Sequence, residues 1–292
     1  LREGQESTTL NSASAIWHRP KSDIVEEDYK NFYNLVSHGA GDPWINMHWK
    51  IEGIIQYAAL LYIPSVRPFD LYDPRRKHHV NLYVRRVFIT DQCEGLIPPY
   101  LRFLRGVVDS QDLPLNVSRE MLQNNPVVIK IRNGIVKKVL GTIEKMADKD
   151  PTGFKDFMFN FGAVLKEGLY EDAEHRKQLF KILQFASTHD KEQNSSLADY
   201  KERMPDQQKA IYYMTGENLE NMRKSPYLEG FTDRGLEVLL LHESIDPFWL
   251  TQVSDYEEIP FKAVTNASED LDELEAQTDS ESDETDLADN KE

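Results

Sequence analysis

Apolar residues in the middle of the chain recur at intervals of three and four positions, the spacing of one face of a helix. From Val128 onward these positions are Ile131, Ile135, Val139, Ile143 and Met146. We expect this helix to end near Lys149-Asp150-Pro151. The same spacing continues before Gly168 at Phe154, Phe157, Phe161, Val164 and Leu165. Residues 179–186 predict a further helix that ends before Ser187-Thr188.

Shorter apolar runs, bounded by proline and charged residues, predict strands. Two of them, Glu52–Ile63 and Asn81–Thr90, are rich in aliphatic and aromatic residues and are expected to belong to one sheet. Two more runs, Ala210–Met214 and Leu236–Leu241, are separated by Glu217–Gly230, a polar segment with helical character. This alternation predicts a βαβ-like unit.

The predicted fold class is therefore α/β, with a larger α/β/α sandwich, a helical connector and a smaller α/β/α unit. The ends of the chain differ in composition from its centre, since both are polar and the second is acidic. The expected organisation is a linker remnant at 1–14, a larger α/β subdomain at 15–150, a helical connector at 151–190, a smaller α/β subdomain at 191–265 and an acidic flexible tail at 266–292.

Charge is distributed unevenly along the chain. The formal net charge is -16, and residues 266–292 carry twelve acids against one lysine, so this tail contributes -11 and the preceding residues only -5. The chain has one cysteine, Cys93, which excludes an internal disulfide framework and indicates a reducing compartment, by default the cytoplasm. No apolar run is long enough to cross a bilayer, and the sequence starts without methionine, as expected of a fragment of a longer protein.

Motifs of self-contained catalytic sites are missing from the sequence. Neither Gly230–Gly235 nor Gly39-Ala-Gly41 completes a phosphate-binding loop, because the first lacks the lysine and the second the third glycine. The neighbouring His78 and His79 would point to opposite faces of a strand and do not predict a metal site. Nearby acids are expected to raise the pKa of Cys93. The residues Arg85, Arg86, Arg102 and Arg105 allow a nucleic-acid face, but surface arginines that pair with local acids are the preferred interpretation.

The segment Asp109–Gln123, with the sequence DSQDLPLNVSREMLQ, is the strongest local signal. Its proline and polar residues predict a loop, and Asn116 or Ser118 could cap a short helix that has Arg119 in its first turn. A cation there opposes the helix dipole, which suggests an external anion as its partner. An ordinary surface arginine paired with Glu120 or Asp112 is the alternative.

LPLNVSREMLQ within this segment resembles the catalytic-loop signature of the middle domain of the 90-kDa heat-shock protein chaperones, of the bacterial HtpG type. Six further segments resemble the same family in uninterrupted order, so that the resemblance covers about residues 11–265. They are IWHRPKSDI from Ile16, LLYIPSVRPFDLYD from Leu60, LYVRRVFITD from Leu82, LIPPYLRFLRGVVDS from Leu96, LADYKERMPDQQKAIYYMTGE from Leu197 and LEVLLL from Leu236.

This resemblance implies the middle domain of an ATP-dependent chaperone that acts in protein folding and the stress response. Arg119 would reach the γ-phosphate of ATP, and Asn116 and Gln123 would shape the loop. ATP and Mg²⁺ would be bound mainly by an N-terminal ATPase domain, so that this chain alone is not expected to hydrolyse ATP. A C-terminal domain would join the full-length protein into a homodimer.

Unfolded or partly folded client proteins are the further partners that the resemblance implies. Trp17 and Phe69 match positions that contact clients and the neighbouring domain, although both could instead cover the local core. Prolines 64, 68 and 74 keep the following loop out of the sheet, so Phe69, Leu71 and Tyr72 are expected to expose apolar surface. No nucleic acid and no membrane are expected as partners. A non-enzymatic α/β scaffold or an RNA-binding module is the alternative function.

Overall fold

The computed structural model describes residues 15–39, 41–73, 79–115, 119–122, 124–191, 194–268 and 270–271. The chain divides into two compact units, Leu1–Phe161 and Gly162–Glu292. Each unit has its own sheet of five strands, and the division between the units falls within one long helix. The predicted α/β class is confirmed.

The first unit contains the helices and strands of the first half of the chain. In chain order they are α1 (Glu26–Ser37), β1 (Pro43–Ile51), β2 (Tyr57–Pro64), β3 (Val80–Val84), β4 (Val87–Thr90), β5 (Arg105–Ser110), α2 (Arg119–Leu122), α3 (Pro126–Lys149) and the start of α4 (Pro151–Glu171). Short 3-10 helices occupy Ile16–His18, Lys21–Asp23 and Pro99–Leu101.

The first sheet has the strand order β1-β2-β5-β3-β4. All neighbouring strands are antiparallel except β3 and β5, which are parallel. Strand β2 lies in the interior of this sheet, and each of its residues is buried. Strands covered on both faces are expected to be continuously apolar, as the sequence YAALLYIP is.

The two faces of β2 are covered by different elements. Ala58, Leu60 and Tyr62 belong to an apolar cluster that also includes Trp17 before α1 and Tyr33 of α1. On the opposite face, the Tyr57 hydroxyl lies so close to Gly134 of α3 that a β-carbon at that glycine would approach it to 2.6 Å. The first unit is therefore an α/β/α sandwich.

Helices α3 and α4 confirm the two helices that the apolar periodicity of the sequence predicted. Helix α3 ends at Lys149, and the predicted stripe from Ile131 to Ile143 is buried. The Asn125 side chain caps α3 by accepting a hydrogen bond from the Val127 amide at 2.9 Å. Helix α4 runs beyond Gly168 to Glu171, because a single glycine inside a well-packed helix costs only about 1 kcal/mol.

The second unit contains the remaining elements. In chain order they are the end of α4, α5 (Arg176–Ile182), β6 (Ala186–Ser187), α6 (Leu197–Arg203), β7 (Ile211–Thr215), α7 (Leu219–Met222), α8 (Glu229–Thr232), β8 (Val238–Leu241), α9 (Asp246–Trp249), β9 (Asp255–Tyr256) and β10 (Ile259–Ala263). Short 3-10 helices occupy Pro226–Leu228 and Val264–Asn266.

The second sheet has the strand order β6-β8-β7-β10-β9. Strands β7 and β8 are parallel and are joined through α7 and α8, which confirms the predicted βαβ unit. One face of the sheet packs against Met222 and Phe231 of these helices. Outside this apolar cluster, Trp249 of α9 contacts Phe261 of β10, with ring centroids 5.5 Å apart. This unit is a smaller α/β/α assembly.

Several predicted boundaries were wrong. Residues 52–56 lie outside β2, which starts at Tyr57. The run Asn81–Thr90 is two strands rather than one, because the chain reverses at Arg85-Arg86. The helix predicted for 179–186 ends at Ile182, and Ala186 instead pairs with Leu240 in the second sheet.

The turn between β3 and β4 has an unusual backbone. Val84 pairs with Val87, so the turn contains only Arg85 and Arg86, and their φ angles are +49° and +69°. Two-residue turns of this kind favour Asn-Gly or similar pairs, because a β-carbon in the left-handed region costs roughly 1–2 kcal/mol per residue. Because this turn is formed by two arginines, the sequence does not predict it.

Replacing Gly106 with alanine should destabilise the first unit. Gly106 lies in β5 with a φ of +132°, and an added β-carbon would overlap the backbone carbonyl oxygen of Leu60 in the neighbouring strand. We expect Gly106→Ala to lower the free energy of unfolding by about 3 kcal/mol, measured by urea denaturation. Gly53→Ala is the matched control, because no atom lies near the site of its β-carbon. Equal stability of the two variants would contradict this assignment of strain.

Buried His48 should make the first unit less stable in acid. Its Nε2 donates to the Trp17 carbonyl at 3.1 Å, and its Nδ1 lies 2.9 Å from the Tyr29 hydroxyl, which can donate to the neutral ring. Burial lowers the pKa of His48; the bond to Trp17 opposes this shift, and the charges of Lys21 and His18 add to it. Its contribution to stability is therefore present above a pH of about 6.5 and lost as the pH falls through the lowered folded pKa.

The pH dependence can be measured from thermal unfolding between neutral and mildly acidic pH. We expect His48→Gln to reduce the loss of stability on acidification. His189→Gln is the control, because His189 is exposed and lies in the second unit. An unchanged pH dependence in the His48 variant would contradict the prediction.

Candidate functional site

The segment that leads to Arg119 is fixed to the end of β5. The Ser110 hydroxyl accepts hydrogen bonds from the amides of Asp112 and Leu113, both at 3.3 Å. The Asp112 carboxylate in turn accepts a hydrogen bond from the Gln56 amide at 2.6 Å, next to the start of β2. Leu113 is fully buried, so the chain leaves the sheet from an anchored position.

The same segment is anchored again after α2. Leu122, the last residue of this helix, is buried, whereas Met121 is exposed. The Asn125 amide donates to the Leu122 carbonyl at 3.2 Å, immediately before Asn125 caps α3. The short helix is therefore connected to α3 through a defined turn, in which Asn124 has a left-handed φ of +61°.

Arg119 is the first residue of α2, as the sequence predicted. Its side chain lies outside the described part of the structure, and so do the residues Asn116 and Gln123. The capping role of Asn116 or Ser118 stays a prediction for the same reason. What the structure does provide is the position of Arg119 in the chain, between the anchors Leu113 and Leu122.

Asp109 of β5 is a buried carboxylate with three hydrogen-bonded partners. Its Oδ2 accepts from Trp17 Nε1 at 3.0 Å and from His18 Nε2 at 2.8 Å. The Arg86 amide lies 3.1 and 3.2 Å from its two oxygens. Burial raises the pKa of the adjacent Tyr83, and the charge of Asp109 raises it further. No local pattern in the sequence reveals this network, because Asp109 is far from its partners in the chain.

Trp17 is a core residue of the first unit. Its ring lies 4.9 Å from that of Tyr83 and 5.7 Å from that of Phe32, measured between centroids. Only 8% of the residue is exposed, and its indole nitrogen is bonded to Asp109. Of the two interpretations of Trp17, the structure supports the one in which it covers the local core.

The loop after β2 divides its apolar residues between the surface and the core. Phe69 is fully exposed and Tyr72 is half exposed, whereas Leu71 is only 1% exposed. The expectation that Leu71 presents apolar surface was therefore wrong. A loop has no periodicity that would separate an anchoring residue from an exposed one, so the sequence could not distinguish Leu71 from Phe69.

Two arginines support this loop. Arg102 Nε donates to the Leu71 carbonyl at 2.9 Å, and the guanidinium groups of Arg102 and Arg67 lie 5.6 and 5.8 Å from the centre of the Tyr72 ring. These distances are within the range of cation–π attraction. The Arg67 amide also donates to Asn160 Oδ1 of α4 at 3.2 Å. Phe69 is thus displayed on a loop that is held in several places.

Other residues that the sequence singled out have structural roles in the part of the chain that the structure describes. Arg105 is buried and donates to the carbonyls of Phe103 and Leu104, so its interpretation as a surface arginine was wrong. Burial, together with the charge of Glu94, raises the pKa of Cys93 to about 11, in the predicted direction. His78 lies outside the described residues. Among the helices of the described ranges, none is long and apolar enough to cross a bilayer.

Comparison with known proteins gives a consistent result. The family profile described as Hsp90 protein matches residues 2–291. The chain is 53% identical to the chaperone protein HtpG of Paramagnetospirillum magneticum over 93% of its length, and 47% identical to that of Gluconobacter oxydans over 99%. It spans less than half of these relatives, 44% and 46% of their lengths.

A solved structure of the middle domain of a Plasmodium falciparum heat shock protein is similar to the chain. The TM-score is 0.76 and the sequence identity 31%, and the match covers 87% of this chain and 100% of the other. These comparisons confirm the resemblance to a middle domain of the HtpG type that the sequence motifs indicated. The chain belongs to the Hsp90 protein family.

Proposed function

We propose that the chain is the middle domain of an ATP-dependent chaperone and supplies Arg119 to the γ-phosphate of ATP. The observation that supports this role is the placement of Arg119 between two anchors, the buried residues Leu113 and Leu122. A backbone held on both sides limits the entropy that is lost when one side chain engages a ligand. Asn116 and Gln123 would shape the same segment.

The chemistry follows from the properties of a guanidinium group. It is planar and permanently charged, and its N–H groups can contact two phosphate oxygens at once. An arginine held next to the terminal phosphate would stabilise the charge that develops during phosphoryl transfer. ATP, bound with Mg²⁺, would supply the phosphoryl group and water would accept it.

Nucleotide and metal would be held mainly by an N-terminal ATPase domain of the full-length polypeptide. The residues of this chain fit the arginine-donating role, since the segment of Arg119 leaves the sheet at Ser110 and returns to α3 at Asn125. We expect a full-length homodimer joined through a C-terminal domain. The single cysteine, Cys93, supports a cytoplasmic location.

The second part of the proposal is a surface for unfolded or partly folded clients, centred on Phe69 and Tyr72. The side chain of a fully exposed phenylalanine adds no buried apolar area to the folded state, but it offers apolar area to a partner. Leu71 would anchor the loop through its buried side chain. Trp17 would contribute indirectly, as a core residue.

Arg119→Ala in the full-length polypeptide is expected to lower kcat for ATP hydrolysis by roughly 100- to 1,000-fold. The affinity for nucleotide should change little, because the pocket belongs to another domain. Arg119→Lys should recover only part of the rate, since an ammonium group lacks the planar fork of N–H donors. Both parameters can be measured by steady-state turnover and by titration with a fluorescent nucleotide.

Arg132→Ala is the matched control for this experiment, because Arg132 lies in α3 of the same unit. It should hydrolyse ATP at the rate of the unaltered protein. Undiminished turnover of the Arg119→Ala variant would refute the role of Arg119, while leaving the client surface to be tested separately.

Phe69→Ser is expected to weaken the capture of a thermally unfolded model protein by about tenfold, the equivalent of ~1.4 kcal/mol. The variant should keep its thermal stability, because the replaced side chain is fully exposed. Leu71→Ala should instead lower the free energy of unfolding by about 2–5 kcal/mol. Suppression of light scattering and thermal unfolding distinguish the two effects.

Ile54→Ser provides the control for exposed apolar area. Ile54 is 95% exposed between β1 and β2, outside the loop of Phe69. It should leave capture unchanged. If Ile54→Ser and Phe69→Ser weaken capture equally, binding depends on general hydrophobicity and the proposed surface is wrong.

A further inference from the structure

A cavity of about 460 Å³ opens beside the turn formed by Arg85 and Arg86 in the first unit. Its lining residues include His18, Lys50, Ile51 and Gln111, next to the two arginines. This volume is within the range of about 300–1,000 Å³ that small-molecule sites occupy. The cavity is therefore large enough for a small organic ligand.

Positive charge predominates among its lining residues. The lining includes the cations Arg85, Arg86 and Lys50 and one acid, Glu52. The Glu52 carboxylate lies 3.1 Å from Lys50 Nζ. Arg85 uses its Nε to donate to the Gln111 carbonyl at 3.2 Å, which leaves its terminal nitrogens for a ligand. Within the described part of the chain, the guanidinium of Arg86 has no hydrogen-bond or ion-pair partner.

The backbone of the turn that carries the two arginines is constrained. Both arginines have left-handed φ angles, which glycine or asparagine would adopt at lower cost. The Arg85 amide donates to the Ser110 carbonyl at 3.0 Å, and the Arg86 amide donates to Asp109. Strain that is maintained by such contacts is typical of functional positions.

Asp109 fixes the turn without neutralising it. The carboxylate is completely buried, and its oxygens accept hydrogen bonds from Trp17, His18 and the Arg86 amide. None of these donors is the guanidinium of Arg86. A doubly charged oxyanion would supply the acceptors that Arg86 lacks, and a guanidinium binds such groups through two parallel hydrogen bonds.

We propose that this cavity is a binding site for a phosphate-bearing small molecule, with Arg86 as its principal ligand and Arg85 and Lys50 as supporting cations. The site is independent of the role of Arg119, because it requires no nucleotide-binding domain. Inorganic phosphate, pyrophosphate and adenosine monophosphate are suitable probes. They share the phosphate chemistry and differ in whether they carry a nucleoside.

The test is an NMR titration of the 292-residue chain with each probe, following the amides of Arg86 and Gln111 and the guanidinium resonances. We expect saturable shifts at these positions with at least one probe. Arg86→Ala should weaken binding about tenfold, the equivalent of ~1.4 kcal/mol. Tighter binding of adenosine monophosphate would identify a nucleotide-like ligand, and tighter binding of pyrophosphate an inorganic one; both support the site.

Arg86→Gly separates binding from folding. It relieves the left-handed strain, so the thermal midpoint should rise while phosphate affinity falls. Arg132→Ala removes the same charge from α3 and should bind as the unaltered chain does. Shifts that do not saturate with any probe, or an Arg86→Gly variant with unchanged affinity, would overturn the proposal.

Discussion

The buried carboxylate of Asp109 is the interaction on which the arrangement of the first unit depends. An ionised group without water is costly unless hydrogen bonds replace its hydration. Asp109 obtains these bonds from the segment of Trp17 and His18 and from the turn at Arg86, while it belongs itself to β5. Three regions of the sequence are therefore held together by one side chain, and each depends on the other two.

This network places two different sets of cationic residues on one support. Strand β5 continues from Asp109 through Ser110 into the segment of Arg119, and Asp109 also holds the turn of Arg85 and Arg86. The segment of Arg119 and the turn of Arg85 and Arg86 are both attached to the same end of β5. A shift of that strand end would therefore move both of them. The rigidity of the sheet is thus a condition for the proposed chemistry, which requires a guanidinium in a fixed position.

Elements of the fold could be predicted from the sequence where a local pattern determined the structure. Helix α3 is long and has one continuous apolar face, and β7 and β8 are compact apolar runs. The burial of Arg105 and Asp109 in β5 was not predicted. Asp109 is buried because distant groups, Trp17 and His18, donate to its carboxylate, and buried Arg105 donates to the neighbouring Phe103 and Leu104 carbonyls. For the site, the resemblance predicts a role for Arg119, but no property of the sequence separated exposed Phe69 from buried Leu71.

The separation of Phe69 from Leu71 has a consequence for how the protein can evolve. The buried leucine and the cation–π contacts of Arg102 preserve the course of the loop, and none of these interactions involves the phenylalanine ring. Substitutions at the exposed position can accumulate without a stability threshold opposing them. Lineages could therefore acquire different preferences at this surface while inheriting an unchanged scaffold.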